Sequence, residues 1–81
     1  MNRTEITSRV YRVTEKLFAV DESALNANTD LRDDLGGDSM TLVELAVNLE
    51  EEFDAEMGAL AGAEVRTIGD VIDLIVANYP A

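Results

Sequence analysis

Ser39, set between Asp38 and Met40 and preceded by a pair of glycines, is the residue of this 81-residue chain best placed to do chemistry. The run Asp34-Leu35-Gly36-Gly37-Asp38-Ser39-Met40 closes a polar stretch and opens one with helical apolar spacing. Adjacent glycines let a backbone turn sharply and leave the following side chains exposed. A serine at the first position of a helix points its hydroxyl outward beside N–H groups that have no intrahelical partner. It lies at the positive end of the helix dipole, where an attached phosphate is favoured. A second reading competes with this one. Ser and Asp are ordinary capping residues, and Asp38 or Ser39 could serve only to start the helix.

Other chemistries for the same residues fail on composition. Gly-Asp-Ser-Met superficially resembles the serine block of some lipases and esterases, but the chain holds no histidine to deprotonate Ser39 and is too short for such a fold. No cysteine is present, so there is no thiolate nucleophile, no disulfide framework and no Cys-ligated metal. Asp30, Asp33, Asp34 and Asp38 invite a calcium reading. In the EF-hand pattern, however, Arg32 would fall at the third ligand position, Leu35 where glycine is required, and the bidentate glutamate is missing. No metal site is expected.

Charge adds a further clue. Seventeen acidic side chains face six basic ones, a formal net charge of −11, yet 47% of residues are apolar, too many for a disordered chain. Residues 1–20 hold four basic and two acidic side chains, whereas residues 21–56 hold twelve acids and only Arg32. Such a field repels nucleic acid and anionic lipid and steers the protein toward basic partners; a plain solvated face is the alternative. The longest apolar runs, residues 17–20 and 74–77, are far short of the roughly 20 residues that span a bilayer. The N-terminal residues lack the apolar stretch of a secretory signal, so a cytoplasmic protein is expected.

The elements that must position Ser39 read as helices. Ile6, Val10, Val13 and Leu17 recur at helical spacing and predict an amphipathic helix over about residues 4–18. Residues 19–37 form a long polar loop with isolated apolar anchors at Leu25, Leu31 and Leu35, which must pin it. Leu42, Leu45, Ala46, Leu49 and Phe53 mark a helix over about residues 39–53, with Asp38 a candidate N-cap. Residues 54–63, with Gly58 and Gly62, suit a turn and a short helix. Thr67 and Asp70 have capping-box spacing before Ile68, Val71, Ile72, Ile75 and Tyr79, and Pro80 ends that run. No period-2 stretch appears. The expected fold is all-α: a small four-helix bundle, three main helices plus one short helix, in a single domain over residues 1–81.

Asp-Leu-Gly-Gly-Asp-Ser-Met, followed by Thr41-Leu42-Val43-Glu44-Leu45 and then Leu49-Glu50-Glu51-Glu52-Phe53-Asp54, resembles the acyl carrier proteins and their peptidyl carrier relatives. That family has an Asp-Ser-Leu-type tripeptide at a helix start, a Glu-Leu continuation and an acidic Glu-Glu-Phe-type end. The resemblance runs from Val10 to Tyr79 and includes Val65-Arg66-Thr67-Ile68 before the last helix.

The resemblance implies a carrier and not an enzyme. The serine matching Ser39 would receive 4′-phosphopantetheine from coenzyme A through a separate phosphopantetheinyl transferase, with Gly37 and Asp38 beside it in the attachment site. The prosthetic thiol would carry an acyl group as a thioester, which accounts for the missing cysteine, and partner enzymes would supply the acid–base chemistry, which accounts for the missing histidine. The helix over residues 39–53 would be the recognition surface. Met40, Val43, Glu44, Val47 and Glu51 lie off its core stripe, two of them acids beside an apolar strip that would meet Arg or Lys on acyl-transferring and ketosynthase-type enzymes. Met40 has a second reading as a gap-filler at the core edge, and residues 50–52 include at least one solvated side chain. A free-standing monomer with neither nucleic-acid nor membrane partners is expected. Met40 stands where Leu is usual in fatty-acid carriers, Thr41 where many have an acid, and residues 58–63 are not acidic. Fatty acyl, polyketide and aminoacyl cargo therefore all stay open, as does an unmodified carrier-fold interaction domain.

Overall fold

The computed structural model describes residues 2–54 and 65–78. Three α-helices account for most of them: α1 (Arg3–Phe18), α2 (Ser39–Phe53) and α3 (Ile68–Asn78), with a 3-10 turn at Glu22–Ala24 inside the long loop. No strand occurs among the described residues; an isolated antiparallel bridge joins Asp30 to Thr67. The short helix expected in residues 54–63 lies outside the described residues, apart from Asp54, as do Tyr79 and Pro80.

Each helix starts on a side chain suited to it. Asn2 caps α1 by accepting the N–H of Glu5 at 2.8 Å. Asp38 caps α2 through Thr41. Thr67 and Asp70 form the reciprocal box that their spacing predicts. The Asp70 carboxylate accepts the Thr67 N–H and the Thr67 hydroxyl accepts the Asp70 N–H, both at 3.1 Å. Two helices end on non-glycine residues in the left-handed region, Ala19 (φ 55°) after α1 and Asp54 (φ 50°) after α2, each donating its N–H back to the last turn.

α1 packs against both other helices. Its buried Ile6, Val10 and Val13 meet Leu45, Ala46, Leu49 and Phe53 of α2 and Ile68, Val71, Ile72 and Ile75 of α3 in one apolar cluster. Each large apolar side chain fully withdrawn from water contributes about 1.5–3 kcal/mol. Thr14, buried among them, satisfies its hydroxyl on the Val10 carbonyl at 2.8 Å. Two surface pairs tie α1 to its neighbours: Arg3 to Asp73 at 2.7 Å, and Arg9 to Glu52 at 3.6 Å with its guanidinium 5.9 Å from the Phe53 ring centroid.

The long loop is held in the way its apolar residues predict and in one they do not. Leu25 and Leu31 are buried and Leu35 is half-buried against the core. The additional hold is a seam of backbone hydrogen bonds to the start of α3. Leu31 N–H donates to the Arg66 carbonyl at 2.7 Å, Ile68 N–H to Thr29 at 3.1 Å and Gly69 N–H to Ala27 at 2.9 Å. Arg66 and Asp30 add a charge contact at 3.7 Å. The loop is thereby a packed layer that delivers residue 39 to a set place.

Candidate functional site

The site is built where the loop ends and α2 begins. Gly36 adopts φ +72°, the left-handed conformation that L side chains rarely take, and donates its N–H to the Arg32 carbonyl at 2.9 Å. Gly37 does a different job. It is buried, donates its N–H to the Leu31 carbonyl at 2.8 Å, and has no space for a side chain. A Cβ there would stand 2.8 Å from the Leu31 carbonyl oxygen and 3.2 and 3.3 Å from two Phe18 ring carbons.

Asp38 and Ser39 then divide two tasks that the sequence leaves ambiguous. Asp38 has the extended backbone of an N-cap; one carboxylate oxygen accepts both the N–H and the hydroxyl of Thr41 at 2.9 Å, and its carbonyl accepts the Leu42 N–H at 3.0 Å. These bonds, the Thr41 N–H foremost and its hydroxyl next, hold the Asp38 carboxyl below the usual aspartate range. The cap is thus Asp38. Ser39 is exposed at the first position of α2, and its hydroxyl makes no hydrogen bond with any described residue.

The acids preceding the site serve the loop's own backbone. Asp30 accepts the N–H groups of Asp33 at 2.8 Å and Arg32 at 2.9 Å, and Asp34 accepts the Asp30 N–H at 2.7 Å. The Asp33 N–H is the largest of the effects lowering the Asp30 pKa. Among the described residues no group of three or more acidic side chains is arranged to hold a metal ion.

The outward face of α2 is apolar at its centre. Met40 is 72% exposed, Val43 51% and Val47 46%, the exposed large apolar side chains among the described residues. Glu44 and Glu51 are exposed beside them, while Leu45, Ala46, Leu49 and Phe53 are buried and Leu42 is half-buried. Met40 is therefore no gap-filler. Of the acids at residues 50–52, Glu51 is the exposed one, and Glu52 is half-buried against Arg9. Sequence periodicity had no means of finding Phe18 against Gly37, or Arg9 across Glu52 and Phe53, because those partners are far apart in the chain.

A phosphodiester-linked group fits this place. The Ser39 hydroxyl is exposed and unshared, the neighbouring carboxylate is engaged by Thr41, and the first turn of α2 provides the positive end of a helix dipole.

Known proteins resemble the chain as a whole. Residues 8–75 match the family described as "Phosphopantetheine attachment site". The acyl carrier protein of Rubrobacter xylanophilus is 33% identical over 81 residues, covering all of both chains. The acyl carrier protein of Trieres chinensis is 36% identical over 71 residues, 88% of this chain and 89% of its own. The chain belongs to the acyl carrier protein family, and its prosthetic group is 4′-phosphopantetheine.

Proposed function

We propose that Ser39 is the attachment residue and that the protein is a non-catalytic shuttle for acyl intermediates between the enzymes of a fatty-acid or polyketide-type biosynthetic route. The observation that carries this reading is the division of labour at the helix start. Asp38 provides the cap, so the Ser39 hydroxyl has no structural duty and is presented to a partner. A separate phosphopantetheinyl transferase must supply the base that removes the Ser39 proton, because this chain has no histidine and the Asp38 carboxylate is committed to Thr41. Once attached, the group supplies the thiol that holds the acyl cargo as a thioester. Gly37 and Asp38 set the backbone on which Ser39 stands, and touch the solvent side only through Asp38.

Met40, Val43 and Val47, with Glu44 and Glu51 beside them, form the docking strip. The apolar centre is withdrawn from water on binding while the carboxylates meet Arg or Lys on the transferase and on acyl-transferring, ketosynthase-type enzymes. The working unit is taken as one carrier domain over residues 1–81, monomeric and cytoplasmic.

The test is intact mass before and after incubation with coenzyme A and a promiscuous phosphopantetheinyl transferase. Wild type is expected to gain one phosphopantetheine group and Ser39→Ala none. A folded wild type that gains nothing, beside an active transferase control, would mean that the fold is used here only for binding. A gain that persists in Ser39→Ala would move the attachment elsewhere.

A further inference from the structure

Gly37, two residues before Ser39, meets a side chain from 19 positions earlier. Phe18 is the last residue of α1, half-buried against the core, and its ring edge lies against the backbone of Gly37 so closely that a methyl group there would sit 3.2 and 3.3 Å from two ring carbons. The same space is bounded by the Leu31 carbonyl, whose oxygen would stand 2.8 Å from that methyl and which accepts the Gly37 N–H at 2.8 Å; Leu31 is itself fully buried and anchored to the Arg66 carbonyl through its own N–H at 2.7 Å. The ring and a fixed carbonyl therefore together close off the side of Gly37 where a side chain would stand. Two residues further on, with only the cap Asp38 between, stands the Ser39 hydroxyl. Its position has no hydrogen bond of its own among the described residues to define it.

We propose that Phe18 is a positioning residue for the attachment reaction: its ring, with the Leu31 carbonyl, confines Gly37 and so fixes where the Ser39 hydroxyl is presented to the transferase. This rests on Ser39 being the attachment residue. The ring touches neither the incoming group nor Ser39. Its effect is on geometry, to which group transfer is steep: a displacement of about 1 Å can cost roughly a hundredfold in rate. Removal of the ring leaves the hydrogen bonds of Gly37 and Asp38 in place, so a partial loss is expected.

The experiment measures loading kinetics with the protein as the varied substrate of the transferase and coenzyme A saturating. The variants are Phe18→Ala, Gly37→Ala, the double variant, and Val10→Ala as a core truncation elsewhere on α1, all assayed well below their melting temperatures with folded fraction checked by circular dichroism. Phe18→Ala is expected to lower kcat/KM about tenfold, with the loss mainly in kcat, because the docking strip on α2 is untouched. Gly37→Ala should lose more, since the new methyl meets the Leu31 carbonyl as well as the ring. The double variant should be no worse than Gly37→Ala alone, because both changes act on one contact. Val10→Ala should be less stable yet load like wild type. Phe18→Ala loading at the wild-type rate, or losing only as much as Val10→Ala, overturns the proposal, as do losses that simply multiply in the double variant. A wild type that never loads overturns the Ser39 reading, and this proposal with it, by a different observation.

Discussion

At the residue scale, the site depends on the distinction between two adjacent polar side chains. Asp38 and Ser39 are interchangeable as caps by type, yet only Asp38 bonds to Thr41. Ser39→Ala is accordingly expected to leave the melting temperature within a degree or two of wild type while abolishing loading; a clear loss of helical circular dichroism would assign Ser39 a structural role. Asp38→Ala should do the reverse to stability, lowering the melting temperature by roughly 4–8 °C as an N-cap loss does in a domain of this size. Thermal denaturation of the two variants side by side separates the roles, and equal shifts would contradict the assignment.

At the element scale, the long loop behaves as a fourth packing element. Leu31 is as buried as any helix residue, at 0% exposure, and its backbone joins Gly37 to the start of α3. Leu31→Ala is expected to cost about 2–5 kcal/mol, the same as Leu49→Ala in the middle of α2. Urea denaturation measures both, and a Leu31 cost below about 1 kcal/mol would mean that the loop is only loosely applied to the core. The helices themselves were legible within a residue or two: 4–18 against Arg3–Phe18, and 39–53 with its Asp38 cap against Ser39–Phe53. Local signals suffice there, because a cap and an apolar period are properties of neighbours in sequence. The 3-10 turn, the left-handed Ala19 and Asp54, and the seam from residues 27–31 to residues 66–69 were not legible, because each depends on what packs beside it.

At the scale of the whole molecule, charge opposes the fold. A net charge of −11 on so small a chain repels itself, so the melting temperature at pH 7 should rise from low ionic strength to about 0.15 M salt, where the Debye length is roughly 8 Å. An unchanged melting temperature would count against it. Acid acts in two opposite ways. Lowering the pH toward the sequence pI of about 4.1 removes repulsion and stabilises. Asp21, Asp30, Asp38 and Asp70, in contrast, have folded-state pKa values lowered chiefly by backbone N–H groups: those of Ser23, Asp33, Thr41 and Arg66, respectively. For groups depressed on folding, the stabilisation is complete above the unfolded value near 3.8 and is lost as pH falls through the lower folded values. The melting temperature should therefore change little from pH 7 to about pH 5, where a chain without histidine titrates few groups, and fall below about pH 4. A monotonic rise down to pH 3 would show that these four aspartates contribute little.

The sequence by itself determined the helical class, the bounds of α1 and α2, the acidic balance and the segment around Ser39 that resembles the carrier family. All of these are written in residue types a few positions apart. The choice of Asp38 over Ser39 as the cap is also local, made by Thr41 three residues on. Tertiary structure alone decided that Met40 faces water and that Gly37 is glycine because Phe18 and the Leu31 carbonyl occupy the space a side chain would need. The physical reason is common to these two. Which side chain is exposed, and which backbone must stay bare, depends on atoms brought together from distant parts of the chain, and no local periodicity encodes that meeting.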